Sequence, residues 1–452
     1  MTSIQRILGV WRQDRLLQSV IKNTGYLFSS NSISMVLTSA QGILAAIILG
    51  PADWATLGII IVFASSVNRL LSFRMGELVI KYAGQYLAVG KKDRAAAVIK
   101  SAGLTEAITS VLAYLFLLLL SPLAATYIIK IPSTTPWINF YGLALLANLM
   151  TETSSSVLQI SNHYRTQAIL NLAQSILTAS LIVVAYFLHG GVYMILIAYL
   201  AGKLVFGIGV MGTAFYWIGK LLGPGWLKTP FSLLEKRREM VIFATSTNVS
   251  ATVNTLIRDS EILWIGYFLT RLDAGYYKFA QAVMGVILMP ITPFITTTFP
   301  EISRSVPLKE WKQLRSLIQR TTWIATAWTL ACAAGLVVVG PWLLGLMKHG
   351  EYLPSYPAIM ILLVGYGISN IFFWNRPLCL AFGNPNYPLF VTLVVGAIKT
   401  VLMFLIVRQL GYLAQAALLS GYFTFTVIPI VWRGLRHLSK EEKAAALVGS
   451  AV

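Results

Sequence analysis

Thr247–Glu261 reads TNVSATVNTLIRDSE and lies in a run, roughly 241–269, long and apolar enough to cross a bilayer. At helical spacing Thr247, Ser250, Asn254, Arg258 and Glu261 fall on one face, with Asn248, Thr252, Thr255 and Asp259 beside them. A charged side chain at mid-membrane costs about 2.5–3.5 kcal/mol, so Arg258, Asp259 and Glu261 are not expected to face lipid. They are expected to face water, a substrate or one another.

The surrounding chain fits that reading. Of 452 residues, 57% are hydrophobic and 11% charged, with a mean hydropathy of +0.72. Soluble domains carry about 25% charged residues, so an all-α polytopic membrane protein is expected. Cys332 and Cys379 both sit in apolar runs, which implies neither a disulfide framework nor a metal site. No phosphate-binding glycine loop and no Cys/His cluster with metal spacing occurs, so no cofactor and no metal are expected, and an ATPase within the chain is excluded. Nothing points to nucleic acid. Residues 4–21 place Ile4, Ile7, Leu8, Trp11, Leu17 and Ile21 among Arg6, Arg12, Arg15 and Lys22, the pattern of a basic amphipathic helix on the inner leaflet rather than a cleavable signal.

About twelve spans are expected: 26–49, 54–76, 102–121, 138–160, 167–188, 192–218, 241–269, 274–299, 321–346, 357–381, 387–408 and 411–432. With both termini in the cytoplasm, the inner segments hold 25 of the 35 Lys and Arg and the outer loops only 4. Six remain inside spans: Arg69, Lys203, Arg258, Lys278, Arg376 and Lys399. Positive-inside bias does not account for them. Between spans, Lys81–Lys100 reads as a short interfacial helix, a turn at Gly90 and the start of the third span.

A shift of about 220 residues superposes the two halves. Asp53 falls on Asp273, Lys92 on Lys312 and Lys100 on Arg320, while Ser34, Thr38 and Gln41 fall on Asn254, Arg258 and Glu261. The shift covers an even number of spans, so two six-helix lobes of the same orientation are expected. They are an N-terminal lobe at 1–220 and a C-terminal lobe at 241–452, joined by a charged cytoplasmic linker at 221–240. The polar stripes of the first and seventh spans are expected to face each other across a cavity between the lobes.

Three stretches carry a family resemblance: Leu49-Gly50-Pro51-Ala52-Asp53-Trp54 after the first span, Asp273-Ala274-Gly275-Tyr276-Tyr277 after the seventh, and Pro290, Pro293, Phe299-Pro300-Glu301-Ile302-Ser303 closing the eighth. Through them the chain resembles the polysaccharide-transport branch of the multidrug/oligosaccharidyl-lipid/polysaccharide (MOP) exporter superfamily, and within it Wzx-type O-antigen and exopolysaccharide flippases. The resemblance implies a two-lobed, alternating-access exporter in a bacterial inner membrane. Its cargo would be an undecaprenyl-pyrophosphate-linked oligosaccharide moved from the cytoplasmic to the periplasmic leaflet, with polysaccharide polymerase or assembly proteins as partners. A fourteen-span peptidoglycan-precursor flippase fits less well, because two C-terminal spans are absent.

A pyrophosphate is anionic and rich in acceptor oxygens, which Arg binds bidentately and Lys as a point charge. Arg258, Lys203 and Lys399 sit too deep for easy snorkelling and are expected to line a cationic lumen. Lys278, Arg69 and Arg376 lie nearer span ends, where a structural, interface-seeking role competes. Glu106, Glu152, Asp259 and Glu261 are candidates for proton or ion coupling, against permanent ion pairing with a neighbouring cation. His163 reads as an interfacial residue. The rival readings are a multidrug or cation exporter of the same superfamily, a membrane glycan polymerase or ligase, and a non-transporting scaffold. The second needs a sizeable outer loop for catalysis, which this sequence does not offer, and the third leaves the buried charges without purpose.

Overall fold

The computed structural model describes residues 15–223, 225–291, 298, 301–303, 305–306, 308–384 and 386–449, with backbone alone at 15–32, 88, 246–247, 249–251, 253–254, 256–257 and 446–449. The expected amphipathic helix at 4–21 and the Pro293, Phe299 and Pro300 motif therefore lie largely outside the described residues, as do the side chains of Thr247, Ser250 and Asn254.

Every long element is helical. In chain order these are α1 Arg15–Leu71, α2 Lys92–Leu123, α3 Thr135–Ala147, α4 Thr151–Ile160, α5 Tyr164–Phe187, α6 Val192–Leu222, α7 Arg237–Asn254, α8 Glu261–Phe268, α9 Arg271–Leu288, α10 Trp311–Leu346, α11 Tyr356–Ile371, α12 Asn375–Ala381 and α13 Asn386–Gly449. Among the described residues, seven helices are long and apolar enough to cross a membrane. Two of these, α1 and α13, contain a sharp kink at a glycine of positive φ: Gly50 (φ 75°) and Gly411 (φ 74°). An L side chain rarely adopts that backbone, so only glycine turns the chain there without strain. The expected spans 138–160 and 357–381 are each broken midway, into α3 and α4 and into α11 and α12. Lys81–Lys100 folds as expected, with helix to residue 88, a turn at Gly90 (φ 74°) and α2 from Lys92.

The chain forms two compact units: residues up to Ile48 with Ile59–Ser260, and Leu49–Gly58 with Glu261 onward. In the first, α6 packs on α3, α4 and α5. Small residues let the backbones close in: a Cβ on Gly207 would strike the Ala147 carbonyl, and one on Gly202 would strike the Thr178 hydroxyl. A core of Val79, Tyr82, Ile99, Leu158 and Val210 fills one end. In the second unit, α11 packs on α9, α10 and α13, with Gly365 set against the Ser420 backbone. Its core gathers Ile302, Leu314, Ile318, Trp374, Leu378 and Leu438. The outward faces remain apolar, with Leu119, Phe187, Trp323 and Val338 each more than two-thirds exposed. Apolar exposure on that scale marks a lipid-facing surface.

Candidate functional site

The first unit encloses a polar cavity of about 420 Å³. Ser65, Asn68, Arg69 and Ser72 reach it from α1 at steps of one, three or four residues, so one helix face supplies four polar groups. Asn171 and Gln174 of α5, and Lys203 and Phe206 of α6, each enter as an i, i+3 pair, while Tyr141 comes from α3. Arg74 follows α1, Glu106 comes from α2, Asn148 from the α3–α4 break and Glu152 from α4. The lining thus holds three cations against two carboxylates.

Each carboxylate has an identifiable task. The Glu106 oxygens accept the backbone N–H groups of Glu152 and Thr153, both at 2.9 Å. These are orphan donors of the first turn of α4, so a buried carboxylate from α2 caps a helix that begins inside the protein. The N-terminal end of the second half of the broken span is thereby satisfied within the protein. Glu152 in turn accepts two bonds from Arg74, from Nη2 at 2.5 Å and Nε at 2.9 Å. Asn248 holds the Arg74 backbone, accepting its N–H at 2.8 Å and donating to its carbonyl at 3.3 Å.

Arg69 is paired with Asp259 and donates to the Thr255 hydroxyl at 3.0 Å. That pairing follows from a local change of helix type. Thr255–Asp259 is a π-helical turn, and α8 restarts at Glu261. An inserted residue rotates everything beyond it by roughly 100°, because each residue of an α-helix advances by that angle. The one-face stripe expected from regular helical spacing therefore does not persist to its end. Asp259 serves Arg69 in the first unit, whereas Glu261 is enclosed in the second. Arg258 is 58% exposed, has Asp259 at 3.4 Å, and is not among the cavity-lining residues.

Lys203 is the lining cation for which the described residues provide no hydrogen-bond or ion-pair partner. The other intramembrane cations are placed differently. Lys399 and Glu261, 4% and 2% exposed, form a buried ion pair in the second unit. Tyr277 donates its hydroxyl to the same carboxylate, and the Gln281 amide Nε2 donates to it at 3.2 Å. Lys278 donates to the Trp54 carbonyl at 3.1 Å, with its ammonium 3.5 Å from the Trp54 ring centroid, a desolvated cation–π contact. Arg376 is exposed on α12. In the first span, Ser34 accepts from Asn171 at 3.2 Å and Gln41 donates to the Ser175 carbonyl at 2.8 Å, so both bind α1 to α5, while Thr38 is exposed.

The cavity thus brings together Arg69, Lys203, Glu106 and Glu152 of the residues expected from sequence, and adds Arg74. Arg74 stands at the inner end of the expected second span, where positive-inside bias alone accounts for an arginine. The detectable signal was the break in helical pattern at Ser72–Gly76 just beyond Arg69. No group of three or more metal-ligating side chains occurs among the described residues.

A profile of the family described as "Polysaccharide biosynthesis protein" matches residues 43–357. The inner membrane protein YghQ of Escherichia coli K12 is 22% identical over 359 residues, covering 77% of this chain and 98% of that protein. Among solved structures, an inward-facing multidrug-resistance MATE transporter of the MOP superfamily superposes with a TM-score of 0.68 at 15% identity, covering 91% of this chain and 96% of the other. The lipid II flippase MurJ, inward closed, gives 0.66 at 14%, covering 93% and 90%. A MOP-superfamily transporter from Pyrococcus furiosus, described as having a binding pocket of reversed polarity, gives 0.59 at 14%, covering 93% and 96%.

Proposed function

The chain belongs to the polysaccharide biosynthesis protein family, and from that premise we propose that it is a flippase for an undecaprenyl-pyrophosphate-linked oligosaccharide, an O-antigen or exopolysaccharide repeat unit. The MOP-superfamily fold and the multi-pass helical architecture agree with this reading. One matched fold belongs to a protein described as a lipid II flippase, which favours a lipid-linked cargo. The observation that carries the proposal is the cavity of Arg69, Arg74 and Lys203, three cations facing one polar space.

In the proposed cycle the headgroup enters the cavity and is drawn first by Lys203, which has no partner among the described residues. Its oxygens then take Arg69 and Arg74 from Asp259 and Glu152, because a pyrophosphate offers both guanidinium groups bidentate acceptors. Asp259 and Glu152, left without their guanidinium partners, become the proton acceptors that link substrate release to the proton gradient. The lipid tail stays in the bilayer. Twelve spans with both termini cytoplasmic, and rocking of lobe 1–220 against lobe 241–452 about the linker at 221–240, complete the mechanism. Lys399 and Lys278, already engaged by Glu261 and Trp54, serve as structural anchors, while Arg258 and Arg376 contribute exposed positive charge.

A multidrug or cation exporter would place net negative charge at this position, and the lining here is net positive. The deciding experiment reconstitutes the purified protein in vesicles with a prenyl-pyrophosphate-linked oligosaccharide and follows its appearance in the opposite leaflet. Wild type is expected to translocate it and the Arg69→Glu variant to fail. Equal rates in both would sink the proposal.

A further inference from the structure

A second cavity, of about 410 Å³, lies in the same unit, and its lining residues neighbour those of the first in sequence. Its lining differs in kind: Phe73, Met75 and Leu78, Ala102 and Thr105 of α2, and Met240 and Ala244 of α7, with Thr245 and Arg237 among the exposed residues that border it. One stretch, Ser72–Met75, separates the two spaces. It is a bend and coil between two helices, and its successive residues border the two spaces in turn. Ser72 and Arg74 line the charged cavity, whereas Phe73 and Met75 line the apolar one. Helix α2 divides likewise, with Glu106 on the charged side and Thr105 and Thr109 on the other. The stretch is held by Ser72 to Ser110 at 3.0 Å, the Phe73 N–H to the Thr109 hydroxyl at 3.1 Å, the Arg74 bonds to Asn248 and Glu152, and backbone bonds from the Ser72 N–H to the Asn68 carbonyl at 2.7 Å and from the Val79 N–H to the Met75 carbonyl at 3.0 Å.

We infer that the apolar groove holds the first isoprene units of the substrate's prenyl chain while the pyrophosphate of the same molecule occupies the charged cavity across Ser72–Met75. The inference rests on the proposed function and gives it an address for the lipid. Two spaces of opposite polarity, lined by alternate residues of the same short stretch, match an amphiphile whose charge and hydrocarbon meet at a single bond. Phe73 and Arg74, adjacent in sequence, then read that junction from its two sides. Arg237, its guanidinium held by the carbonyls of Leu234 at 3.2 Å and Phe231 at 2.9 Å, places further positive charge beside the groove, suited to an anionic lipid.

The test uses the full-length protein in detergent and compares the affinities of inorganic pyrophosphate and geranylgeranyl pyrophosphate. Each buried methylene is worth about 0.8 kcal/mol, roughly fourfold in affinity, so the prenylated probe is expected to bind at least about tenfold tighter. Thr105→Trp, which fills the groove from a half-buried position, is expected to collapse that ratio toward one. Thr245→Trp, at an exposed border position that tolerates a large residue, is expected to do the same. A wild-type ratio near one, or a ratio that both variants leave intact, overturns the inference. So does displacement of the prenylated probe by dioleoyl phosphatidate as effective as by unlabelled probe, since the groove would then be an ordinary acyl-chain site. A protein that binds neither probe overturns the functional proposal together with this one, whereas equal binding of both overturns the groove alone.

Discussion

Replacing Lys399 with methionine distinguishes a structural ion pair from a substrate-binding cation. Glu261 and Lys399 are 2% and 4% exposed, and the carboxylate also accepts from Tyr277 and Gln281. Methionine preserves the length and apolar stem of the lysine but removes its charge. Breaking a buried pair by deleting one partner leaves an uncompensated charge and costs about 3–5 kcal/mol. At about 2 °C per kcal/mol for a unit of this size, the melting temperature is expected to fall by roughly 6–10 °C. Thermal unfolding of the purified protein in detergent measures it. Adding Glu261→Gln removes the second charge while the new amide oxygen still accepts from Tyr277, so the double variant is expected to regain most of the loss. A Lys399→Met protein that melts within about 1 °C of wild type, or a double variant less stable than the single, would refute the reasoning. A transport defect at unchanged stability would assign Lys399 to the substrate path instead.

Other variants test the first unit. Glu106→Ala removes two charge-assisted bonds at the start of α4 and is expected to destabilise by about 2–3 kcal/mol, with faster hydrogen exchange at the Glu152 and Thr153 amides. Arg69→Glu is expected to reduce transport far more than Arg258→Glu, because Arg69 lines the cavity and Arg258 does not; vesicle assays of the pair give the order. His163 lies between spans, its ring 3.5 Å from the Trp217 centroid, and burial holds its pKa below the ordinary value. The unfolded chain therefore binds more protons there as pH drops through that ordinary value, so stability is expected to decline with acidification, and less steeply in His163→Gln. Parallel unfolding curves at high and low pH for the two proteins would contradict this.

The helical, multi-pass character of the fold was legible because bilayer physics writes it in composition, as long apolar runs, whereas the bends at Gly50 and Gly411 were not, since glycines also occur inside straight helices. Interior pairings were harder to read. Regular helical spacing put Arg258 and Glu261 on one face, but the π-turn at Thr255–Asp259 alters the phase, and no residue type announces such a turn. Lys399 and Glu261 are 138 residues apart, a pairing that spacing along one helix does not reveal. Glu106 was singled out as a membrane-embedded acid, yet its role as a helix cap depends on the break at 148–150, which hydropathy smooths over because Asn148, Leu149 and Met150 sit in an otherwise continuous span. Arg74 is hard to read for a simpler reason: inner-end arginines are common, and only the non-helical stretch at Ser72–Met75 turns this one into a cavity.

The most direct measurement is the translocation rate of a prenyl-pyrophosphate-linked oligosaccharide in proteoliposomes carrying wild type or Lys203→Glu. Lys203 has no partner among the described residues, so its replacement breaks no described ion pair and changes chiefly the charge the cavity offers a headgroup. Loss of translocation by at least about tenfold, with melting temperature close to wild type, is the predicted result. Translocation at the wild-type rate by a folded Lys203→Glu protein would contradict the account.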